Sequence, residues 1–251
     1  MIAMILAAGL GTRLYPHTAD KPKALVELNS KPLIKHVIEH LATYGYNEFV
    51  VNVHHFGEKI IEYLGQEQFR NFKIHISDER NELLNTGGAI WKARNILANY
   101  QNILVVNTDI ISNLNLELLR AYHKEQDGIA TLVVRNRETQ RFLLFNNKME
   151  LAGWKNSKTE EYKWGQPSNS KGIIKAYPFS GIQIITNEYL EKMTREGAFS
   201  SIDQYLDLCG REKIVGYLDN SSMWSDIGKI DELKKMENIY GQQGEFPSSS
   251  F

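Results

Sequence analysis

The sequence predicts an α/β fold: a Rossmann-like three-layer α/β/α sandwich around a mixed, mostly parallel central sheet. Three observations point there. Met1 to Ala8 is a nearly continuous apolar run that ends in glycines, the pattern of a strand buried on both faces. From Pro32 to Val106, strand-like and helix-like periods alternate, which places helices on both faces of a mostly parallel sheet. After about Gly128, strand-like runs succeed one another with few helices between them, which adds a partly antiparallel portion.

In order along the chain, the first strand leads into a loop at Gly9 to Arg13. Leu33, Ile34, Val37, Ile38 and Leu41 then recur at helical spacing between Pro32 and Tyr44, and Glu48 to Val53 returns to strand character. A helix near Glu58 to Leu64, a strand near Lys73 to Ser77, a helix from Gly88 to about Leu97 and an apolar strand from Ile103 to Val106 continue the alternation. The later strands are expected at Ile129 to Val134, Arg141 to Phe145, Ile173 to Tyr177 and Gly181 to Ile185. Asn156 to Lys171 is polar and loop-like, predicting a surface excursion that could serve as a lid. Asp231 to Tyr240 reads as a closing helix and Gly241 to Phe251 as a frayed tail.

Composition narrows the function classes. At 251 residues and 42% hydrophobic content the chain can bury a sizeable core. Its 29 basic and 30 acidic residues leave a formal charge of −1, which argues against a nucleic-acid partner gripped through many phosphates. The single cysteine, Cys209, allows no internal disulfide and no cysteine zinc site, so a reducing, cytoplasmic setting is expected. The apolar start has no basic segment before it, and Arg13 interrupts it short of a spanning length, so neither a signal peptide nor a membrane partner is expected.

The stretch Ala7-Ala8-Gly9-Leu10-Gly11-Thr12-Arg13-Leu14, continuing to Lys21-Pro22-Lys23, has phosphate-loop character. Glycines after a buried strand let backbone N–H groups approach phosphate oxygens, and Arg13 and Lys23 add cations. It is not a P-loop, because no Gly-Lys-Ser/Thr occurs, nor a dinucleotide fingerprint, because Leu14 stands where a third glycine is needed. Taken alone, Arg13 and Lys23 could equally be solvated surface charges. Asp109 follows the apolar strand Ile103 to Val106, where open α/β sheets bind ligands, and an aspartate there suits magnesium. Asp226, before Ile227-Gly228, reads by itself as a turn or cap residue.

Read together, Gly9-Leu10-Gly11-Thr12-Arg13-Leu14, Pro16, Thr18 and Pro22-Lys23 resemble the signature of the sugar-phosphate nucleotidyltransferase family. The likeness runs on through Thr86-Gly87-Gly88, Asn107-Thr108-Asp109, Phe179-Ser180-Gly181 and Trp224-Ser225-Asp226-Ile227-Gly228, and within the family it is most similar to the N-acetylmuramate-1-phosphate uridylyltransferases. Length and pattern predict one domain over 1–240 and a tail over 241–251, and the resemblance implies a nucleotide-binding half over about 1–128 and a sugar-binding half over about 129–240. It implies a nucleoside triphosphate and a sugar 1-phosphate as substrates, with UTP and N-acetylmuramic acid 1-phosphate as the expected pair. Ala8, Gly9, Gly11, Thr12, Arg13, Lys23 and the Thr86-Gly87-Gly88 turn would hold the nucleotide, Arg13 and Lys23 acting in catalysis. Phe179, Ser180 and Gly181 would wall the sugar pocket, for which the plain alternative is a strand bend. Asp109 and Asp226 would hold Mg2+.

Three positions depart from the family pattern: Leu10, Asn85 where the muramate enzymes carry an acid, and Thr108 where glycine is commoner. None removes a charge the expected chemistry needs. His54 and His55 follow a strand, and either a site-lining or a structural role is open to them. The rival readings are GDP-sugar synthesis from mannose or heptose 1-phosphate, a choline-phosphate cytidylyltransferase, against which Thr86-Gly87-Gly88 argues, and a non-catalytic nucleotide-sugar sensor, which would not need all four charged residues.

Overall fold

The computed structural model describes residues 1–165 and 174–243. In chain order the elements used below are β1 (Ile2–Leu6), α1 (Leu33–Thr43), β2 (Glu48–Val53), α2 (Gly57–Leu64), β3 (Lys73–Asp78), α3 (Asn85–Leu97), β4 (Asn102–Asn107), α4 (Leu116–Gln126), β5 (Ala130–Val134), β6 (Phe179–Thr186), α5 (Ser201–Leu208), β7 (Ile214–Leu218) and α6 (Ile230–Gln243). They form a Rossmann-like α/β fold with a mixed central sheet. The chain divides into two compact units, each built from separated stretches: Met1–Leu83, Val105–Asn115 and Ser222–Phe251 in one, Leu84–Leu104 and Leu116–Ser221 in the other.

In the first unit the strand order is β4, β1, β2, β3, with only the last residues of β4 belonging to this unit. β1 runs parallel to β2 from Ile2 opposite Glu48 to Leu6 opposite Asn52, and β2 parallel to β3 from Glu48 opposite Lys73 to Val53 opposite Asp78. Ile2, Ala3, Met4 and Ile5 are fully buried, which is why this strand is apolar without alternation. α1 buries the Leu33, Ile34, Val37, Ile38 and Leu41 stripe that its spacing predicts. Each such side chain contributes roughly 1.5–3 kcal/mol when fully buried.

A second apolar cluster lies in the same unit. Leu14, Val26, Leu28, Leu33, Ile111, Ile227, Leu233 and Met236 pack together, with Met223 and Ile230 against them. It ties the glycine loop, through Leu14, to α6 and to two short strands, Ile110–Ser112 and Trp224–Asp226, that pair antiparallel. Residues from opposite ends of the chain are thereby fixed by apolar burial, which needs no local sequence signal.

In the second unit β5 pairs antiparallel with β6 and parallel with β7. Four further strands, Arg141–Phe145, Leu151–Asn156, Glu161–Trp164 and Lys175–Tyr177, form an antiparallel sheet. The polar stretch expected as a loop over Asn156 to Lys171 therefore contains a strand, since Glu161–Trp164 pairs with Gly153–Asn156. Exposed along its length, that strand carries no alternation for the sequence to reveal. The remainder of the excursion, from 166, lies outside the described residues, as does the tail from 244. α4 and α5 were not expected; α4 buries only Leu116, Leu119 and His123, too narrow a stripe to stand out. α6 reaches Gln243, beyond the expected Tyr240.

Candidate active site

The site residues of the first unit gather at the carboxyl ends of its parallel strands. After β1 the chain turns at Gly11, whose left-handed φ of 66° and close neighbours exclude a side chain: a Cβ there would lie 2.9 Å from Thr18 and 3.0 Å from Lys23. The Gly11 carbonyl accepts hydrogen bonds from the Leu14 amide (2.9 Å) and the Thr18 hydroxyl (3.0 Å). Gly9 is exposed, with no heavy atom within 4 Å of where a Cβ would stand, and Ala8 beside it is buried. The single short turn Thr12–Leu14 then anchors Leu14 in the core and leaves Thr12 and Arg13 exposed.

Lys23 is buried, and its ammonium is ion-paired with the Asp109 carboxylate. Asp109 itself stays partly open, with 21% of its side chain exposed. The Ile227 amide donates to the Asp109 carbonyl (2.9 Å), and Asp226 sits opposite Ile110 in the short antiparallel pair, so the backbones at Asp109, in the turn before its strand, and at Asp226 run side by side. Gly228 shows how closely the remaining charges converge. A Cβ there would lie 2.7 Å from Asp226 Oδ1 and 3.1 Å from an Arg13 guanidinium nitrogen. The fold therefore brings together Arg13, Lys23, Asp109 and Asp226: two acids flanked by two cations, one of them seated on an acid.

The other expected residues belong to the second unit. Thr86, Gly87 and Gly88 do not form a turn, as expected, but lie in the first turn of α3. The amides of Gly87 and Gly88 donate to the Phe199 carbonyl, which satisfies helix N–H groups that have no partner within the helix. A Cβ on Gly87 would lie 2.4 Å from the Phe199 ring, and one on Gly88 2.1 Å from the Gly197 carbonyl oxygen. The Thr86 hydroxyl accepts from the Ser201 amide (2.9 Å). Asn85, the departure from the family pattern, has φ 60° and accepts the Thr86 amide on its own side chain, a conformation Asn tolerates better than an acid of Glu length.

Phe179, Ser180 and Gly181 open β6. Gly181 has φ 77°, and the pairing with β5 shifts register between Phe179 and Gln183, so the motif forms an irregularity in the strand that only glycine accepts without strain. Ser180 is buried, Phe179 half-buried. Sequence reasoning missed two arginines beside it. Arg137 donates to the Phe179 carbonyl (3.1 Å), and Arg135, 3.9 Å from the buried Asp219, has its guanidinium pKa lowered by burial, partly offset by that acid. Their position just past the apolar run ending at Val134 was the available signal.

Sequence reasoning also missed Asn52 and Glu79 in the first unit, both buried. His54, left open, donates through Nδ1 to the Glu79 carbonyl (2.7 Å), a structural tie, while His55 is exposed against the Phe56 ring. Among the described residues there is no group of three or more His, Cys, Asp or Glu side chains able to hold a metal, and no helix long and apolar enough to cross a membrane.

The family model described as nucleotidyl transferase matches residues 2–144. The chain is 44% identical over 112 residues to an N-acetylmuramate alpha-1-phosphate uridylyltransferase of Caulobacter vibrioides, covering 44% of this chain and 46% of that protein. It is 40% identical over 136 residues to a mannose-1-phosphate guanyltransferase of Schizosaccharomyces pombe, covering 53% of this chain and 37% of that one. The matches thus span less than half the length of these relatives. Two solved structures share the fold: HddC from Yersinia pseudotuberculosis complexed with GMP-PN (TM-score 0.73, 21% identity, 95% of this chain and 99% of that one) and a UDP-glucose pyrophosphorylase from Acinetobacter baumanii (TM-score 0.78, 14% identity, 99% and 96%).

Proposed function

The chain belongs to the nucleotidyl transferase family, and on that premise we propose that it joins a nucleoside triphosphate to a sugar 1-phosphate, releasing pyrophosphate. The observation that carries this reading is that Asp109 and Asp226 stand at neighbouring backbone positions, with Lys23 paired to the first and Arg13 close to the second. Reactions between two phosphate anions need charge neutralised and held in place more than they need a general base, since a sugar 1-phosphate is already an anionic nucleophile.

The donor set fits a magnesium ion. Two carboxylates with oxygen donors only, one of them open enough to be reached and already attracting a cation in Lys23, suit a hard ion that takes few protein ligands and completes its shell with phosphate and water. Asp109 and Asp226 would hold it; when bound, it would neutralise phosphate charge on both substrates. Lys23 supplies positive charge near the α-phosphate. Arg13, exposed at the end of the loop with a planar fork of donors, stabilises the departing pyrophosphate. The open face at Gly9 lets the loop backbone approach the phosphates. In the second unit, Thr86, Gly87 and Gly88 contribute to nucleotide binding and Phe179, Ser180 and Gly181 to sugar binding.

The substrate pair we favour is UTP with N-acetylmuramic acid 1-phosphate, in cytoplasmic cell-wall sugar salvage, supported by the similarity to the Caulobacter protein. The second reading, GDP-sugar synthesis, is favoured by a similarity of 40% over a longer stretch to the mannose-1-phosphate guanyltransferase. Pyrophosphate release over four nucleoside triphosphates and a panel of sugar 1-phosphates tests both. A guanosine pair preferred by more than about tenfold, roughly 1.4 kcal/mol in the transition state, overturns the muramate assignment, and silence across the panel overturns the reaction itself.

A further inference from the structure

The glycine loop is held at its start by side chains that touch no proposed substrate. The Ala7 amide, the first donor past β1, gives its hydrogen bond to Asn52 Oδ1 (2.7 Å), and Asn52 Nδ2 donates to Glu79 Oε1 (2.9 Å). Asn52 is 3% exposed and Glu79 1%. Glu79 is in turn clamped by its backbone: its amide donates to the Val53 carbonyl (2.8 Å), and its carbonyl accepts from His54. The side chains thus join the carboxyl ends of three parallel strands, β1, β2 and β3, which is where such sheets place ligands.

A buried carboxylate at the end of a strand is costly unless its hydrogen bonds are met, and an apolar pair could have filled this space. What the polar pair adds is direction. The Asn52 amide can satisfy the Ala7 N–H and Glu79 only with its oxygen toward the loop and its nitrogen toward the acid, so the carboxylate fixes the amide and the amide fixes where the loop departs. Beyond Ala7, the next fixed point is Gly11, whose carbonyl is held by Thr18 and Leu14. Gly9 lies between with open space over it. We propose that Asn52 and Glu79 are positioning residues that hold the Ala7 amide, and with it the glycine loop, in the form that receives the triphosphate. This rests on the loop being the triphosphate site, as argued under Proposed function.

The test combines Asn52→Leu, which removes both hydrogen bonds, with Glu79→Gln, which keeps an acceptor for Asn52, and the swapped pair Asn52→Asp with Glu79→Gln. In the swap the introduced carboxylate accepts from both the Ala7 amide and the introduced side-chain amide, at the same net charge. Three quantities are read: melting temperature, hydrogen exchange of the segment 7–12 without substrates, and separate KM values for UTP and for N-acetylmuramic acid 1-phosphate. Asn52→Leu should speed exchange at 7–12 and raise the UTP KM at least tenfold, leaving the sugar-phosphate KM within about twofold. Glu79→Gln and the swap should stay within about threefold of wild type on all three. A folded Asn52→Leu enzyme with wild-type exchange and UTP KM overturns the proposal, as does a swap no better than Asn52→Leu. If Asn52→Leu does not fold, the swap decides alone. A wild type that turns over no substrate pair refutes the reaction, and exchange at 7–12 together with UTP binding by calorimetry then decides the positioning role separately.

Discussion

Two glycine motifs that look alike in the sequence meet opposite surroundings in the fold. Around Gly9 the space a side chain would take is open, whereas the corresponding space at Gly87 and Gly88 is filled by the Phe199 ring and the Gly197 carbonyl. At Gly9 the first motif leaves room for something that is not protein, although Gly11 is closely packed. The second is explained by close packing of α3 against the segment at 197–200, which caps its amides. A glycine pair in a sequence therefore announces close approach without saying what approaches.

The largest effect that would sharpen this contrast lies with the acids next to the open loop. Asp226→Asn should lower turnover at least about a thousandfold, roughly 4 kcal/mol, with the fold intact by calorimetry. Asp109→Asn should lose as much and also melt earlier, because it leaves the buried Lys23 ammonium without its acid. Chelation should abolish turnover and added magnesium restore it; wild-type rates for either variant at limiting magnesium would exclude that aspartate as a ligand.

Paired alanine substitutions separate the two glycine motifs directly. Gly88→Ala forces a Cβ into the Gly197 carbonyl and should cost about 1–3 kcal/mol or more, read as a lower melting temperature. Gly9→Ala meets nothing and should leave stability unchanged or slightly raised, while reducing catalytic efficiency about tenfold by narrowing the space for phosphate. If Gly9→Ala were fully active, the open space would not be a phosphate seat.

Arg13→Ala should reduce kcat by about a hundredfold with a smaller change in KM for the sugar phosphate, since the charge on leaving pyrophosphate grows in the transition state. Unaltered kcat/KM would remove Arg13 from leaving-group stabilisation and leave Lys23 as the cation of the first unit.

The smallest effect is a shared one. His40 in the first unit and His123 in the second are both held below the ordinary imidazole value by burial, opposed by a backbone hydrogen bond with Leu114 in one case and by Asp127 in the other. Each therefore binds a proton less readily folded than unfolded, so their contribution is fully present above about pH 6.5, the unfolded value, and is lost as pH falls from there toward the folded values. Urea midpoints should drop between pH 7.5 and 5.5, and His123→Gln should flatten part of the slope. An unchanged slope would show that His123 does not take up a proton on unfolding in this range.

Elements whose signals are local were legible before folding was considered. The apolar run of β1, the helical stripe of α1, the strand Glu48–Val53 and the loop at Gly9 to Arg13 all follow from period and turn chemistry within a few residues. The sequence also supplied, by resemblance, the four charged residues that meet in the first unit. It did not reveal α4, whose buried stripe is narrow, or the strand at Glu161–Trp164, whose exposed surface has no alternation. Asn52 left one trace, a polar residue within the apolar run Phe49 to Val53, but Glu79 was indistinguishable from a surface acid. Only the tertiary structure set Asp226 beside Asp109, placed Arg13 over Gly228 and filled the space at Gly88 with a carbonyl. Those outcomes depend on apolar burial and strand pairing between distant stretches, interactions whose strength is fixed by which surfaces meet and is written in no single segment of the chain.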